Sequence, residues 1–479
     1  MVQETFSGRN IISIGDISRS DLTHIISVAR QMQELERSGR RYSYEGSLKG
    51  KRLASLFYEP STRTRTSFET AMQELGGSTF GFVGTEGTSV RKNESILATV
   101  MMYWANHADA LVMRHPSDGA VQWTADILDI PVINGGDGKN EHPTQALLDL
   151  VTIDEINPGI DGTRIGFGGD LANGRTVRSN ALALSRFDNI TISWAASDEF
   201  GMPKDLEAIL RERGVEVRRF DSVQEVMRNS DVYYMTRPQK ERIKDKTPEE
   251  INHILEKYRI DLAKIASNPD IRIMHPLPVD SITAEIDVEV FFSNNQYFLR
   301  QAENGIFLRK ALLYEILKDT GYTRFCPQMD HSLNDHSNRE NLPIRNETKS
   351  DLFIDRIRYG TVIDHIRSGT AYNIDKSLGF SQKGYRIITS TNDTSRSMGR
   401  KDLIKITDKI LSERELKEIA EIDPDVTFNF IEDGKVIEKF RYDLCRNENC
   451  VTRDIKEDVP PRFDISGSRR FCHYCRREY

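Results

Sequence analysis

The sequence is organised around the stretch Phe57-Tyr-Glu-Pro-Ser-Thr-Arg-Thr-Arg65. The apolar run over residues 53–58 predicts a buried strand, and Pro60 ends it because the proline ring removes a ladder donor. Ser61 or Thr62 is a good helix N-cap, and apolar residues then recur with helical spacing. The segment therefore predicts a strand, a sharp turn and a helix.

The first turn of this helix has the features of an anion site. Backbone N–H groups at a helix start lack intrahelical partners, and the hydroxyls of Ser61 and Thr62 and the guanidinium of Arg63 stand beside them. Together these groups predict a site for a doubly charged oxyanion such as phosphate. The alternative is an ordinary N-cap followed by two solvated arginines, and only the rest of the chain decides between the two.

Length and composition favour a soluble protein with several domains. The chain has 479 residues, enough for about three domains, with 38% hydrophobic and 29% charged residues. The net charge of −7 argues against a protein that coats nucleic acid. We expect no membrane span, because no apolar run approaches about 20 residues. The first residues lack a basic and apolar leader, so we expect no signal peptide and a cytoplasmic location.

The cysteines indicate a metal site. Four of the five cysteines fall within the last 35 residues, as two close pairs. This grouping is typical of metal ligation and not of a disulfide framework, and it fits a reducing compartment. Cys445-x4-Cys450 and Cys472-x2-Cys475 offer four thiolates, which suit one tetrahedral structural Zn²⁺. A zinc ribbon could also bind nucleic acid, but no aromatic stacking platform accompanies these cysteines.

Helical and strand-like segments alternate through the first part of the chain, which is typical of parallel sheets covered by helices. We expect two doubly wound α/β domains, at residues 1–150 and 151–303, with a return helix at 304–320 that completes the first. The first helix is expected at Asp21–Leu35 after a Ser20 cap. Because ligands of such sheets bind at the carboxyl ends of strands, the cleft between the two domains is the expected active site.

The remainder of the chain changes character twice. Residues 321–350 have little apolar periodicity and are expected to form a flexible tether. Residues 351–442 contain several alternating strands around one helix and predict an α+β domain. Residues 443–479 then predict a small β domain that holds the metal.

Several motifs of the first half resemble those of the carbamoyltransferases, in the same order. Ser61-Thr-Arg-Thr-Arg65 resembles their carbamoyl-phosphate signature, and Thr88–Ser95 resembles the mobile loop whose Ser and Lys reach the neighbouring subunit. Arg114 resembles the arginine that binds carbonyl and phosphate oxygens, and His142-Pro-Thr-Gln145 resembles the H-P-x-Q motif. The resemblance makes residues 1–150 a carbamoyl-phosphate-binding domain. It implies a site made of Ser61, Thr62, Arg63, Thr64, Ser89, Lys92, Arg114, His142, Gln145, Pro276 and Leu277.

Two further motifs resemble the aspartate-binding motifs of aspartate carbamoyltransferase. They are Gly174-Arg175-Thr176 and Thr236-Arg237-Pro-Gln239, and arginine forks suit a small dicarboxylate. Pro276 follows His275, where ornithine carbamoyltransferases, the open alternative, usually carry Cys. The resemblance thus makes residues 151–303 an aspartate-binding domain. It implies an aspartate site made of Lys92, Arg175, Arg237, Gln239 and Leu277.

The reaction that the resemblance implies is carbamoyl transfer from carbamoyl phosphate to L-aspartate, which gives N-carbamoyl-L-aspartate and phosphate for pyrimidine synthesis. The amine attacks the carbonyl carbon directly, with no covalent intermediate and no organic cofactor. Family active sites are shared between subunits, so we expect a homotrimer, which pairing of regulatory parts would extend to a hexamer. The implied catalytic residues are Arg63, Thr64, Lys92, Arg114 and His142.

The second half resembles the regulatory chain of the same family, a nucleotide-binding domain followed by a zinc domain. The motifs are Gly360-Thr-Val-Ile-Asp-His-Ile366 and Met398-Gly-Arg-Lys-Asp-Leu-Ile-Lys-Ile406. Catalytic and regulatory chains, separate in most relatives, are expected to be fused here. An effector of the CTP, ATP or UTP type is implied, held by Ile357, Val362, Asp364, His365, Lys405, Asn429, Val436 and Lys439. The remaining alternative is a non-catalytic nucleotide sensor or nucleic-acid binder on this scaffold.

Overall fold

The chain divides into two compact units, Met1–Pro327 and Gln328–Tyr479. The first unit contains two parallel sheets, and the second contains a large antiparallel sheet and a small two-stranded one. The computed structural model describes residues 6–238, 247, 250, 256–280, 285–320, 338–344, 357–395, 399–454, 456–457, 459–467 and 469–479.

The first lobe of the first unit is a four-stranded parallel sheet in the order β2-β1-β3-β4. Its strands are β1 (Arg52–Phe57), β2 (Ser78–Val83), β3 (Ala110–His115) and β4 (Val132–Asp137). Its helices are α1 (Arg19–Arg37), α2 (Thr62–Glu74), α3 (Ile96–Ala105), α4 (Ala120–Ile127) and α5 (Pro143–Ile156). The strand order reverses direction at β1 and β3, so a ligand is expected beyond the carboxyl ends of these two strands.

The second lobe is a five-stranded parallel sheet in the order β7-β6-β5-β8-β9. Its strands are β5 (Arg164–Gly168), β6 (Thr191–Trp194), β7 (Glu216–Arg219), β8 (Val232–Met235) and β9 (Arg272–Met274). Its helices are α6 (Arg175–Leu184), α7 (Lys204–Glu212), α8 (Val223–Arg228) and the short α9 (Leu262–Ile265).

The long helix α10 (Phe298–Leu317) returns from the second lobe to the first. It packs against α1, α2 and α5, and Leu308, Leu312 and Ile316 are fully buried in the core of the first lobe. A return helix was predicted at 304–320, but it begins six residues earlier. The sequence did not reveal this start because Phe298 and Gln301 face the second lobe, outside the apolar stripe that packs on the first.

The fold class of two doubly wound α/β domains is confirmed, with local corrections. Helix α1 begins at Arg19 and is capped by Ser18, not by Ser20. The reason is a capping box, in which the Ser18 hydroxyl accepts from the Asp21 N–H and the Asp21 carboxylate accepts from the Ser18 N–H. Gly135 and Gly136 lie inside β4, and Gly138 follows it.

The second unit is built on a six-stranded antiparallel sheet in the order β10-β15-β14-β11-β13-β12. Its strands are β10 (Arg339–Asn341), β11 (Gly360–Arg367), β12 (Ile387–Ser395), β13 (Gly399–Thr407), β14 (Thr427–Glu432) and β15 (Lys435–Tyr442). The helices α11 (Ala371–Leu378) and α12 (Glu413–Ile422) share a buried apolar core with alternate residues of this sheet, among them Ile363, Ile404, Phe428 and Phe440. A hairpin of β16 (Phe463–Ser466) and β17 (Arg469–Cys472) follows.

Part of the predicted tether belongs to this sheet, so the prediction of a tether over 321–350 is wrong there. Strand β10 pairs antiparallel with β15. Arg339 lies 4.5 Å above the ring of Phe440, donates to Glu438 at 2.7 Å and also pairs with Glu413. An edge strand of Arg-Glu-Asn has no apolar alternation, which is why the sequence did not reveal it. Residues 321–337 and 345–350 of the prediction lie outside the described residues.

Within the part of the chain that is described, we find no helix long and apolar enough to cross a membrane.

Candidate active site

The cleft between the two lobes of the first unit has a volume of about 850 Å³. Residues at or just beyond the carboxyl ends of β1, β3, β5, β8 and β9 supply much of its lining. The predicted residues that line it are Ser61, Thr62, Arg63, Thr64, Arg114, His142, Gln145, Arg175, Arg237, Pro276 and Leu277. Two distant stretches of sequence therefore meet at one cavity, as expected for the ligand site of open parallel sheets.

The turn from β1 into α2 presents the start of a helix to the cleft. Ser61 occupies the N-cap position with φ of −148°, and within the described residues its hydroxyl makes no capping hydrogen bond. Arg63 and Thr64 lie in the first helical turn and line the cavity, whereas Arg65 turns to Glu69 at 2.7 Å. The N-terminal turn of α2 therefore offers N–H groups, hydroxyls and one guanidinium to an anion.

Two further guanidiniums lie deep in the cleft. The side chains of Arg114 and Arg175 are only 17% and 16% exposed, and Glu59 stands between them at 3.5 and 4.0 Å. Burial, and then the neighbouring Arg175, lowers the pKa of Arg114 to about 9, although Glu59 partly offsets this effect. Asp137 and Asp118 also act on Arg175 from outside the lining. Among the described lining residues, arginines outnumber the one carboxylate, Glu59, so an anionic ligand would neutralise an excess of positive charge.

Gly136 explains how two guanidiniums fit so close to β4. A Cβ atom at this position would lie 3.1 Å from Cζ of Arg175 and 3.3 Å from Nη1 of Arg114. Its φ of 114° is also a conformation that side-chain-bearing residues rarely adopt. The glycine thus leaves room for the two arginines to pack against the strand.

His142 lies at the N-cap of α5, immediately before Pro143, and its side chain is buried. Its Nε2 is 3.4 Å from Oγ1 of Thr64, and its Nδ1 is 3.4 Å from Oγ1 of Thr144. Burial, followed by the positive charges of Arg175 and Arg114, lowers the pKa of His142 well below its usual value. The imidazole is therefore neutral, and it can donate one N–H to an oxygen that gains negative charge.

The loop after β9 forms the opposite wall. Nδ1 of His275 accepts from the Leu277 N–H at 2.8 Å, and its Nε2–H donates to Glu285 at 3.1 Å. This fixes the ring as the Nε2–H tautomer. Leu277 has φ of 54°, and with Pro276 it lines the cavity. On the neighbouring strand end, Thr236 donates to the carbonyls of Gly168 and Asp170, which holds the segment that carries Arg237.

Some predicted residues are not brought to this cleft. Ser89 and Lys92 lie in a short 3₁₀ helix, are solvent-exposed, and do not contribute to the described lining. Asn93, which follows them, adopts a left-handed conformation with φ of 67°, which asparagine tolerates well. Gln239 lies outside the described residues.

Sequence reasoning missed several charged or polar groups of the cleft, among them Glu59, Gln301 and Arg309. Glu59 adjoins the phosphate motif and could have been found from that position. Gln301 and Arg309 lie on α10, and only long-range packing brings them to the site. Arg309 is buried, contacts the ring of Phe68 at 5.1 Å and has its pKa lowered by burial to about 10.

In the second unit, four predicted effector residues form one row across the sheet. Lys405 on β13 pairs with Val362 on β11, Val362 pairs with Asn429 on β14, and Asn429 pairs with Lys439 on β15. Directly paired residues point to the same face of a sheet. Their neighbours Ile363, Ile404, Phe428 and Phe440 point to the opposite, core face.

The predicted pair Asp364 and His365 stands at one side of this row. The Asp364 carboxylate forms a 2.5 Å salt bridge with Lys401, a residue that the predictions left out, and accepts from the His365 N–H at 2.7 Å. Burial lowers the pKa of His365, the neighbouring Asp364 partly offsets this effect, and the positive charges of Lys401 and Lys439 lower the pKa further. Val436 lies on β15, and Ile357 is buried just before β11.

The four predicted metal ligands come together at the end of the chain. Cys445, Cys450, Cys472 and Cys475 are buried, with all four Sγ atoms within 4.8 Å of one another. Two Sγ–Sγ distances are 3.6 and 3.8 Å. Zn–S bonds of about 2.3 Å would place tetrahedral ligands about 3.8 Å apart. The cluster therefore fits a structural zinc ion.

Three family sequence models match the chain. The carbamoyl-P binding domain of aspartate/ornithine carbamoyltransferase matches residues 9–155, and the Asp/Orn binding domain of the same family matches residues 161–316. The allosteric domain of the aspartate carbamoyltransferase regulatory chain matches residues 352–443.

Individual proteins give the same result. The aspartate carbamoyltransferase catalytic subunit of Thermococcus gammatolerans is 41% identical over 310 residues, which cover 64% of this chain and 97% of that protein. The subunit of Methanothermobacter thermautotrophicus is 43% identical over 311 residues, or 65% and 96% of the two chains.

Solved structures agree with these relatives. The aspartate transcarbamoylase of Trypanosoma cruzi in complex with N-(phosphonacetyl)-L-aspartic acid aligns with a TM-score of 0.61 and 35% identity, covering 65% of this chain and 97% of that one. The catalytic subunit of the M. jannaschii enzyme aligns with a TM-score of 0.60 and 39% identity, covering 65% and 99%.

Proposed function

This chain belongs to the aspartate carbamoyltransferase family, and from that premise we propose that it transfers the carbamoyl group of carbamoyl phosphate to L-aspartate. The products are N-carbamoyl-L-aspartate and phosphate, in a step of pyrimidine synthesis. The observation that carries the proposal is the convergence of Arg63, Arg114 and Arg175 on one cleft, where Glu59 is the carboxylate among the described lining residues. Such a cleft suits a doubly charged phosphate and an amino diacid together.

Carbamoyl phosphate would occupy the side of the cleft formed by the first lobe. The first turn of α2, with Ser61, Thr62 and Arg63, would hold the phosphate. Arg114 and the neutral imidazole of His142 would donate to the carbonyl oxygen. Each oxyanion donor of this kind contributes a rate factor of about 10²–10³. Gln145 would accept from the carbamoyl amide.

Aspartate would bind from the second lobe. Arg175 and Arg237 follow β5 and β8 and can each pair with a carboxylate. The amine would then lie beside the carbonyl carbon, near Leu277, and attack it as phosphate leaves. Placing the two reactants in this geometry can lower the barrier by about 7–11 kcal/mol. The departing phosphate is the proton acceptor in this proposal, so no side-chain base is required.

The test is turnover of carbamoyl phosphate with aspartate by the whole chain, followed as phosphate release and as formation of N-carbamoyl-aspartate. Ornithine is the matched alternative acceptor, because it carries an amine in place of the second carboxylate. We expect turnover with aspartate and inhibition by N-(phosphonacetyl)-L-aspartate. Turnover with ornithine alone would instead favour an ornithine-type enzyme, and no turnover with either would favour a non-catalytic binder.

A homotrimer with shared active sites is part of the proposal. It is supported by Ser89 and Lys92, which resemble ligand residues of the family but stand solvent-exposed away from the described lining of their own cleft. In a trimer they would enter the cleft of a neighbour. Mixing Lys92→Ala with Arg63→Ala chains should then restore activity, because some sites combine two intact halves. Each variant mixed with itself is the control, and no recovery would contradict shared sites.

The second unit is proposed to be a regulatory part that binds a nucleoside triphosphate and one structural Zn²⁺. Nucleotide binding is supported by the matched regulatory-chain model and by the row of Lys405, Val362, Asn429 and Lys439. Zinc binding is supported by the four-thiol cluster. The proposed boundaries are 1–150 with the return helix, 151–303, 351–442 and 443–479, within a cytoplasmic protein whose thiols stay reduced. Titrating CTP, ATP and UTP against activity, with zinc present and then removed, tests this part. Flat titrations would contradict regulation.

A further inference from the structure

A single buried carboxylate connects four elements behind the active-site cleft. Asp149 lies on α5 and is fully buried. Its Oδ1 accepts from Nε2 of Gln145 at 2.9 Å and from Nε2 of Gln301 at 2.6 Å. Its Oδ2 accepts from the Tyr234 hydroxyl at 2.8 Å and from Nδ2 of Asn180 at 3.4 Å. The donors come from α5, α10, β8 and α6, so one side chain contacts elements of both lobes.

The carboxylate determines which way two amides point. An ionised carboxylate only accepts, so both glutamines must turn their NH₂ groups toward Asp149. The other end of Gln301, its Oε1, accepts from the His275 N–H at 2.8 Å, at the start of the loop that lines the cleft. The Oε1 of Gln145 is correspondingly directed away from Asp149, and Gln145 lines the cleft.

We propose that Asp149 is a positioning residue that fixes the Gln145 amide with its oxygen toward the cleft, so that the site selects a carbamoyl NH₂ over a methyl group. The inference rests on the proposed function and adds a residue that touches no substrate. The Gln145 oxygen accepts from the carbamoyl NH₂. If the amide flipped, its NH₂ would face the NH₂ of the ligand, and two donors cannot pair. Acetyl phosphate has a methyl group at that position, so a flip of the Gln145 amide would not change its affinity.

The decisive variant is Asp149→Asn, because asparagine keeps the shape but can donate as well as accept. We expect kcat/KM for carbamoyl phosphate to fall about tenfold or more, the effect of losing one hydrogen bond and leaving a polar group unpaired. The inhibition constant of acetyl phosphate against carbamoyl phosphate should stay within about twofold, since the phosphate contacts are intact. An equal loss for both ligands would overturn the proposal, because it would indicate a structural role alone.

Tyr234→Phe is the matched control. It removes one donor to the same carboxylate but leaves the Gln145 contact in place. Both variants are measured well above pH 7, because loss of the Tyr234 hydroxyl raises the pKa of Asp149 and the carboxylate must stay ionised. There Tyr234→Phe should lower thermal stability and leave the ratio between the two ligands unchanged. In a Gln145→Leu background, Asp149→Asn should have no further effect on that ratio. A further change there would also overturn the proposal, because it would mean that Asp149 does not act through Gln145.

If Asp149→Asn does not fold, the wild-type protein provides the test through pH. Burial raises the pKa of Asp149 to about 7, against the lowering effect of its hydrogen-bond donors and of Arg309. Below that pH the carboxyl group gains a proton, can donate, and no longer holds the amide in one orientation. Discrimination between carbamoyl and acetyl phosphate should therefore decrease as pH falls through about 7, while His142 stays neutral. A ratio between the two ligands that does not change with pH would overturn the proposal.

The groups that face the carboxylate are Gln145, Asn180, Tyr234, Gln301 and Arg309.

The two proposals fail separately. Wild-type turnover of carbamoyl phosphate with aspartate is measured first, and its absence contradicts the proposed function. With turnover present, an unchanged ratio in Asp149→Asn contradicts only the positioning role.

Discussion

The two units each concentrate positive charge at a proposed ligand site, but they do so in different ways. In the cleft of the first unit, Arg114 and Arg175 are largely buried beside each other, and burial and mutual repulsion lower the pKa of Arg114 to about 9. In the second unit, the cations are lysines on one face of an antiparallel sheet, and Lys401 is already paired with Asp364.

This difference indicates what each site can do with an anion. In the cleft, an incoming phosphate or carboxylate relieves repulsion among buried charges that cannot be screened by water, so each contact has a large effect. On the sheet, Lys405 is also buried, but Lys401 is already paired with Asp364 and Lys439 is partly exposed, so these two cations gain less from a ligand. The first arrangement suits catalysis, and the second suits adjustable binding.

The largest effect is expected from loss of the proposed zinc ion of the second unit. Cys472→Ser, or chelation, should unfold the segment that follows β15, because zinc supplies about 10–16 kcal/mol of folding free energy in small zinc units. Metal analysis by mass spectrometry and calorimetry would follow the loss of the ion and of a thermal transition. Cys326→Ser, at a cysteine outside the two pairs, is the control. Full zinc content in Cys472→Ser would contradict the four-thiol site.

Arg114→Ala tests the large effect expected for a buried arginine of the cleft. We expect kcat/KM to fall about 10²–10³-fold, because the variant removes a buried donor to the developing oxyanion. Steady-state kinetics with carbamoyl phosphate measures this loss. Arg219→Ala removes an exposed arginine paired with Asp198 and serves as the control. An equal loss of activity in both variants would contradict a specific role of Arg114 in the cleft.

Gly136→Ala tests whether the close packing of the two guanidiniums matters. The new methyl group would press on Arg175 and Arg114, so we expect activity to fall roughly tenfold in addition to a backbone cost of about 1–2 kcal/mol. Gly159→Ala is matched, since its φ is also positive at 89° but nothing lies within 4 Å of the added carbon. Thermal stability should fall in both variants, and activity only in the first. Equal activity losses would show that backbone strain alone is responsible.

The smallest effect is expected on the sheet of the second unit. Lys439→Ala should raise the Kd of a nucleoside triphosphate about fivefold, as expected for one partly exposed ion pair, and the difference should shrink in high salt. Titration calorimetry at low and high salt would measure it. Lys435→Ala, on the same strand but outside the row, is the control. A rise in Kd of about 10²-fold or more, comparable to the fall in kcat/KM expected for Arg114→Ala, would mean that the two sites do not differ as described.

The alternation of strands and helices and the strand-end motifs were sufficient to predict the two lobes. The same reasoning placed Arg63, Arg114 and His142 at one cleft, because parallel strands bring their carboxyl ends to one edge. Gln301 and Asp149 escaped it, since neither stands in a strand-end loop and each acts through contacts with distant elements.

In the second unit, the effector residues were predicted through a resemblance, and their role stays a prediction. The register of four strands explains why four of them lie on one face of the sheet. The edge strand β10 was missed because its charged side chains carry no apolar pattern. Lys401 was missed for a related reason. It lies four residues from Lys405 on the same strand, and only the irregular register between β11 and β13 brings it against Asp364.

The position of α10 at the end of the first unit has a consequence for synthesis on the ribosome. The first lobe cannot cover its core until Leu308, Leu312 and Ile316 have emerged, and the second lobe is made before them. The nascent chain must therefore keep an uncovered apolar surface while more than 150 further residues are translated, which takes about 8–30 s at about 5–20 residues per second. During that interval the exposed apolar surface makes an early intermediate prone to aggregation, and substrate affinity could arise only after the last turn of this helix has left the tunnel.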